Sequence, residues 1–142
     1  MRRTTTAAVV ICLWLSVSLF LPCVGLSDEL SPTTKAEIAH LLDYVEKCNC
    51  QFNRNGTWYQ DTKAIRGHAE MKLRYFMGKG KIHSTEEFIA WAASRSELSG
   101  KSYLVQCGNG SPIPTAQWFT DEMERYRKET AVTRSEPITA SK

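Results

Sequence analysis

No Gly-x-Ser-x-Gly elbow and no Ser-x-x-Lys pair occurs anywhere in the 142 residues. Both arrangements serve to present an activated serine, so their absence removes the familiar layouts of a serine hydrolase. Histidine is scarce: His40, His68 and His83 are the whole set, and no two stand at the spacing of zinc ligands. Gly78-Lys79-Gly80-Lys81 has the composition of a phosphate loop without its spacing, and reads as a basic turn. No internal repeat is present. Nothing marks a cofactor, and no carboxylate pair suggests a glycosidase.

An unbroken apolar run of about 20 residues, which a membrane span needs, is also missing. Ala7 to Leu21 comes nearest, and is interrupted by Ser16 and Ser18. It follows Arg2 and Arg3 and is closed by Pro22, with Gly25 and Ser27 beyond. A charged start, a short apolar stretch and small residues make a secretory signal peptide over residues 1–27, cleaved near Leu26 or Asp28. Lipid attachment at Cys23 is disfavoured, because Phe20, Leu21 and Pro22 are not small. Excess charge of one sign is lacking too. Taking Arg2 and Arg3 from the 18 basic residues leaves 16 against 15 acidic ones. A near-neutral mature chain offers no electrostatic footprint for nucleic acid. Stable membrane insertion after cleavage is not expected.

Cys12 and Cys23 leave with the leader, and Cys48, Cys50 and Cys107 remain. An oxidising compartment favours a disulfide. A one-residue spacer suits a Cys48–Cys50 bond poorly, so Cys107 pairs with one of the two. Cys50 is the better partner because it opens a strand, whereas Cys48 ends a helix. Closing that loop contributes about 4 kcal/mol in the chain-entropy model. Cys48 is then left free, or available to join two chains as a dimer.

The mature chain is organised around Cys50 to Gln60. Two aromatic-rich runs flank Asn55-Gly56, a strong signal for a type I′ hairpin. Before it, Thr34-x-x-Glu37 fits a capping box, and Ile38, Leu41, Leu42 and Val45 continue at helical spacing to Lys47. After it, Asp61 caps a second helix to about Phe76. Ser84-x-x-Glu87 opens a third, ending near Arg95. Residues 102–107 form a strand, 108–114 a loop, and Thr115 caps a fourth helix. The expected fold is α+β: a three-stranded antiparallel sheet from hairpin 51–60 and strand 102–107, packed with about four helices. One disulfide-stapled domain covers residues 28–129. Residues 130–142 are expected to be a disordered tail.

Several short motifs occur in order: Phe52-x-Arg54-Asn55-Gly56, His68-x-x-x-Lys72-Leu73, Thr85-x-x-Phe88-Ile89 and Ser94-x-Ser96-x-x-Ser99-Gly100-Lys101-x-Tyr103. From Glu37 to Trp118 the chain resembles the YfeK-like family of small exported bacterial proteins, a domain of unknown function. The resemblance implies a Gram-negative source and a periplasmic location. It implies no activity, and Cys48 lies outside the pattern.

The second helix carries the most informative chemistry. Ile65, His68, Ala69, Lys72, Leu73 and Phe76 share one face. A core-facing stripe does not ordinarily hold both a histidine and a lysine. With Arg54 from the hairpin and Lys101 from the later turn, they would make a site for a carboxylate or phosphate. Tyr103, one of several aromatic residues, would suit a peptide or sugar contact there. The bland alternative has His68 bonded to a backbone carbonyl and Lys72 laying its stem on apolar surface. Two functions follow. One is a non-enzymatic exported module binding a protein, a peptide or a cell-envelope component. The other is a small hydrolase with His68 as base and a serine of the 94–99 turn as nucleophile.

Overall fold

The first helix starts before the Thr34–Glu37 pattern predicts. In a computed structural model, which describes residues 29–135, α1 spans Pro32–Lys47. Ser31 is its cap, with Oγ accepting from the Thr34 amide at 3.1 Å. Pro32 then stands where its missing N–H leaves nothing unsatisfied. Glu37 is no part of a cap. It is buried, and its carboxylate accepts from the Thr85 hydroxyl and, at 2.7 Å, from two nitrogens of Arg127. The leader read over 1–27, and residues 136–142 of the expected tail, lie outside the described residues.

Asn55 and Gly56 turn the chain between β1 (Cys50–Arg54) and β2 (Thr57–Tyr59). Their φ angles, 55° and 93°, are both positive, as a type I′ turn requires. Next comes α2 (Thr62–Met77), capped by Asp61, whose carboxylate accepts from the Ala64 amide at 3.0 Å. Ser84 and Glu87 form the capping box of α3 (Thr85–Phe88). That short helix runs on into a widened π-helical turn over Ile89–Ala93. A tight loop over 94–103 leads to β3 (Leu104–Cys107). It is closed by the Ser96 amide on the Lys101 carbonyl at 2.9 Å and the Tyr103 amide on Ser94 at 2.8 Å.

The sheet has four antiparallel strands in the order β2-β1-β3-β4, not three. The addition, β4, is only Ile113–Pro114, inside the segment read as a loop. Proline is tolerated because β4 is an edge strand with no outer neighbour to serve. Cys50 and Cys107 face each other in the β1–β3 register and are bonded. Cys48 is free and half-buried, its thiol donating to the Val45 carbonyl at 3.1 Å.

The last helix, α4 (Thr115–Ser135), corrects two expectations. The Thr115 hydroxyl does not cap it but donates to the Ala93 carbonyl at 3.1 Å, tying α4 to the π-helical turn. Residues 130–135, expected to be disordered, are helical. There the hydroxyls of Thr130 and Thr133 each donate to the carbonyl four residues back, at 3.0 Å, which accommodates them in a helix.

The helices gather on one face of the sheet. Ile38, Leu41 and Val45 of α1, Phe88 and Ala92 from the third helical stretch, and Phe119 and Met123 of α4 are buried with Phe52 and Val105. Those last two residues are opposed across β1 and β3. Side chains alternate along a strand, so the face holding Phe52 and Val105 also receives Arg54, two residues after Phe52, and Tyr103, two residues before Val105. That parity draws a guanidinium under the helical layer.

Candidate functional site

Arg54 ends β1 on the covered face, and α2 crosses above it with His68 and Lys72 on its inward stripe. Tyr103 leads into β3 on the same side. These four residues line one groove of about 350 Å³, bounded outside by Met71 and Tyr75 of α2 and by Ser96, Glu97 and Leu98 of the tight loop. Lys101 does not join them. It is exposed on that loop and does not line the groove, because the turn at Gly100 (φ 68°) carries it away.

The cations are held by rings rather than by carboxylates. The Arg54 guanidinium carbon lies 5.5 Å from the Tyr59 ring centre and 5.7 Å from that of Tyr103. Lys72 Nζ lies 5.3 Å from Tyr103 and 5.7 Å from Phe76, and donates to the Arg95 carbonyl at 2.5 Å. The Lys72 stem is not simply laid on apolar surface with its head in water, since the whole side chain is buried at 7 % exposure. Nor does His68 donate Nε2 to a backbone carbonyl. Among the described residues, the buried side-chain nitrogens and oxygens without a hydrogen-bond partner are Arg54 Nε and His68 Nε2.

Three other arginines are paired with carboxylates. Arg66 is bonded to Asp43, Glu46 and Glu70, Arg125 to Glu122 and Glu129, and Arg127 to Glu37 and Glu86. Among the described residues Arg54 and Lys72 enter no such pair, although Glu97 stands on the rim of their groove. An unpaired cation under a helix is costly, and the cost appears in the titration of its neighbours. Burial, with Arg54 and Lys72 acting in the same direction, pushes His68 down to about 4. Burial also pushes Lys72 down to about 8. There Glu97 opposes the shift, while Arg54 and Arg95 deepen it. At neutral pH the groove therefore presents a guanidinium, an ammonium and a neutral imidazole.

The serines of the 94–99 loop are occupied. Ser94 Oγ donates to the Ala90 carbonyl at 3.1 Å, Ser96 Oγ accepts from Asn55 Nδ2 at 3.3 Å, and Ser99 Oγ donates to Asn55 Oδ1 at 2.6 Å. Ser96 does line the groove with His68, but no hydrogen bond joins them. The remaining histidines are elsewhere. His40 is bonded to Glu122 at 2.6 Å and stacked on Tyr126, and His83 lies 3.1 Å from the Gly80 carbonyl. Among the described residues no cluster of three or more His, Cys, Asp or Glu is placed to hold a metal.

Sequence reasoning missed the apolar side of the groove. Met71 is 51 % exposed, Tyr75 55 % and Leu98 99 %. Two signals pointed there. Met71 and Tyr75 follow His68 and Lys72 by three residues each, which places them on the adjoining strip of the same helix. Leu98 is a large apolar residue in a turn, residues 96–101, otherwise made of serine, glutamate, glycine and lysine.

Fold and site together define a small α+β protein, stapled by one disulfide, with a cationic groove between its second helix and its sheet. The chain belongs to the family of unknown function DUF5329, whose model matches residues 32–127. No curated protein and no solved structure matches it significantly.

Proposed function

We propose that this protein is a non-enzymatic binding module whose ligand carries an anionic group, received by Arg54, His68 and Lys72 against the ring of Tyr103. One observation carries the reading: Arg54 Nε and His68 Nε2, buried and without hydrogen-bond partners, share a groove with a buried lysine that forms no ion pair among the described residues. An anion supplies what all three lack, since buried donors and charges are ordinarily paired. The hydrolase alternative has less behind it. The oxygens of Ser96 and Ser99 are engaged by the Asn55 side chain of the hairpin turn, and an imidazole held near 4 is a weak base at neutral pH.

Export to a bacterial periplasm belongs to the same proposal. The leader-like start, the Cys50–Cys107 bond and the YfeK-like motifs support it. Among the described residues no helix is long and apolar enough to cross a membrane. Mass spectrometry of protein released by osmotic shock should give a chain beginning near Leu26 or Asp28. A retained leader, or a lipid mass on Cys23, contradicts it.

The binding reading is tested by following the His68 ring by NMR during a pH titration, with and without acetate or inorganic phosphate. Without the anion the ring should titrate near 4. A bound anion favours the imidazolium and should move the midpoint upward. Arg54→Ala should weaken the effect at least about tenfold, in line with the loss of a charge-assisted bond, while leaving the fold intact. A midpoint indifferent to every anion refutes the site.

A further inference from the structure

The groove has two halves of different chemistry, and together they specify more than an anion. Its inner part is lined by Arg54 and Lys72 with the neutral imidazole of His68. Its outer wall is Met71, Tyr75 and Leu98, all largely open to water, above the ring of Phe76. Resting on the proposed anion-binding role, we infer that the ligand is a small monocarboxylate bearing an apolar body, its carboxylate in that inner part and its body along that wall.

Charge decides for a monoanion. Arg54 and Lys72 bring two positive charges to the groove at neutral pH, His68 brings none, and Glu97 on the rim returns one negative charge. The net of one suits a carboxylate. A phosphate dianion would leave an excess negative charge in a groove that Glu97 also lines. Shape decides for a body. Exposed single apolar residues are common on proteins, but three lining one concave surface beside unpaired cations form a contiguous amphiphilic face. A volume of about 350 Å³ lies within the range of small-molecule sites.

Topology decides against an extended peptide as occupant. Strand addition needs a free sheet edge. β1, which supplies Arg54, lies between β2 and β3 and has both edges paired. The rest of the groove is built from α2, the Asn55 turn and the tight loop, none of which is a strand that a peptide could extend. A free carboxylate on a short apolar chain needs no backbone partner and meets every feature of the site.

The test is a calorimetric and NMR comparison on the mature chain with octanoate, acetate, octanol, inorganic phosphate and a peptide ending in leucine with a free carboxylate. Octanoate should bind at least tenfold more tightly than acetate or phosphate, and should raise the His68 midpoint. Octanol should lose most of that affinity. Leu98→Ser combined with Met71→Ser should bring octanoate affinity down toward that of acetate. Both positions are exposed, so the fold should tolerate the change.

Equal affinities for octanoate and acetate, with the His68 midpoint still raised, overturn the apolar body and leave the anion site standing. Equal affinities for octanoate and octanol overturn the anion site itself. Tighter binding of phosphate than of octanoate overturns the monocarboxylate assignment. Tighter binding of the peptide than of octanoate makes a peptide C-terminus the occupant and overturns the small ligand.

Discussion

Replacing Cys50 and Cys107 together by serine should lower the unfolding free energy by about 2–5 kcal/mol, the usual cost of losing a native disulfide in a small domain. The bond joins β1 to β3 where the two cysteines stand directly opposite, and it closes a loop of 57 residues. That loop contains the second hairpin strand, all of α2 and the π-helical turn. Its closure therefore restricts every element that builds the groove. Urea denaturation of the double variant, read by tryptophan fluorescence, measures the loss. Trp118 sits in the core with its ring 4.5 Å from Tyr44 and reports on packing. The anion midpoint of His68 should survive in whatever fraction remains folded, since neither cysteine lines the groove. A loss under about 1 kcal/mol, below the usual range for such a bond, would mean that the β1–β3 ladder closes the loop unaided. A peptide map showing Cys48 bonded to Cys107 would mean that the β1–β3 register is wrong.

The parts of this architecture legible beforehand are those with short-range physical causes. Asn55-Gly56 demanded a turn with positive φ, and the structure has one. Ser84 and Glu87 cap a helix because both groups lie within one turn of each other. The stripe holding His68 and Lys72 follows from periodicity, and so does its inward position. The failures involve partners far away in the chain. Thr34-x-x-Glu37 has the spacing of a capping box, but the Glu37 carboxylate is claimed by Thr85 and Arg127, 48 and 90 residues on. β4 is two residues long and contains a proline, so only its register with β3 marks it as strand. Lys101 carried the right charge in the right neighbourhood, and a single turn removed it from the site.

The same reasoning separates what was foreseen in the groove from what was not. His68 and Lys72 broke an apolar pattern and announced themselves. Arg54 was legible as a charge near the turn, but its burial depends on strand parity relative to Phe52, which became clear only with the register in hand. Met71, Tyr75 and Leu98 broke no pattern individually. They form a wall only because the 94–103 loop folds back beside α2, held by the bond from Lys72 to the Arg95 carbonyl.

Lys72→Met should make the protein more stable and less able to bind. Burial holds the Lys72 ammonium at about 8, against 10.5 for an unperturbed lysine. A depression of about 2.5 units corresponds to about 3 kcal/mol by which the charged form is disfavoured in the native state. At pH 7 lysine is charged in both folded and unfolded chains, so the wild type bears that cost in full. Methionine has a similar length and no charge. It forfeits the bond to Arg95, worth about 1 kcal/mol, and the expected net gain is about 2 kcal/mol at pH 7. The pH dependence is the sharper signature. Between about pH 8 and 10.5 the unfolded wild type holds a proton on Lys72 that the native state has released, so its stability rises across that window. Lys72→Met should show no such rise. His68 acts in the same sense at the acid end. Its native value near 4 makes the wild type lose stability as pH falls from about 6.5 to 4, and the variant should keep most of that loss because the burial of His68 and the charge of Arg54 remain. Urea midpoints at pH 5, 7, 9 and 10 follow both windows. Anion affinity should fall at least about tenfold in the same variant, as expected when one charge-assisted contact is removed. A destabilised Lys72→Met, or one that binds as the wild type does, would assign Lys72 a structural role and leave Arg54 and His68 alone to hold the anion.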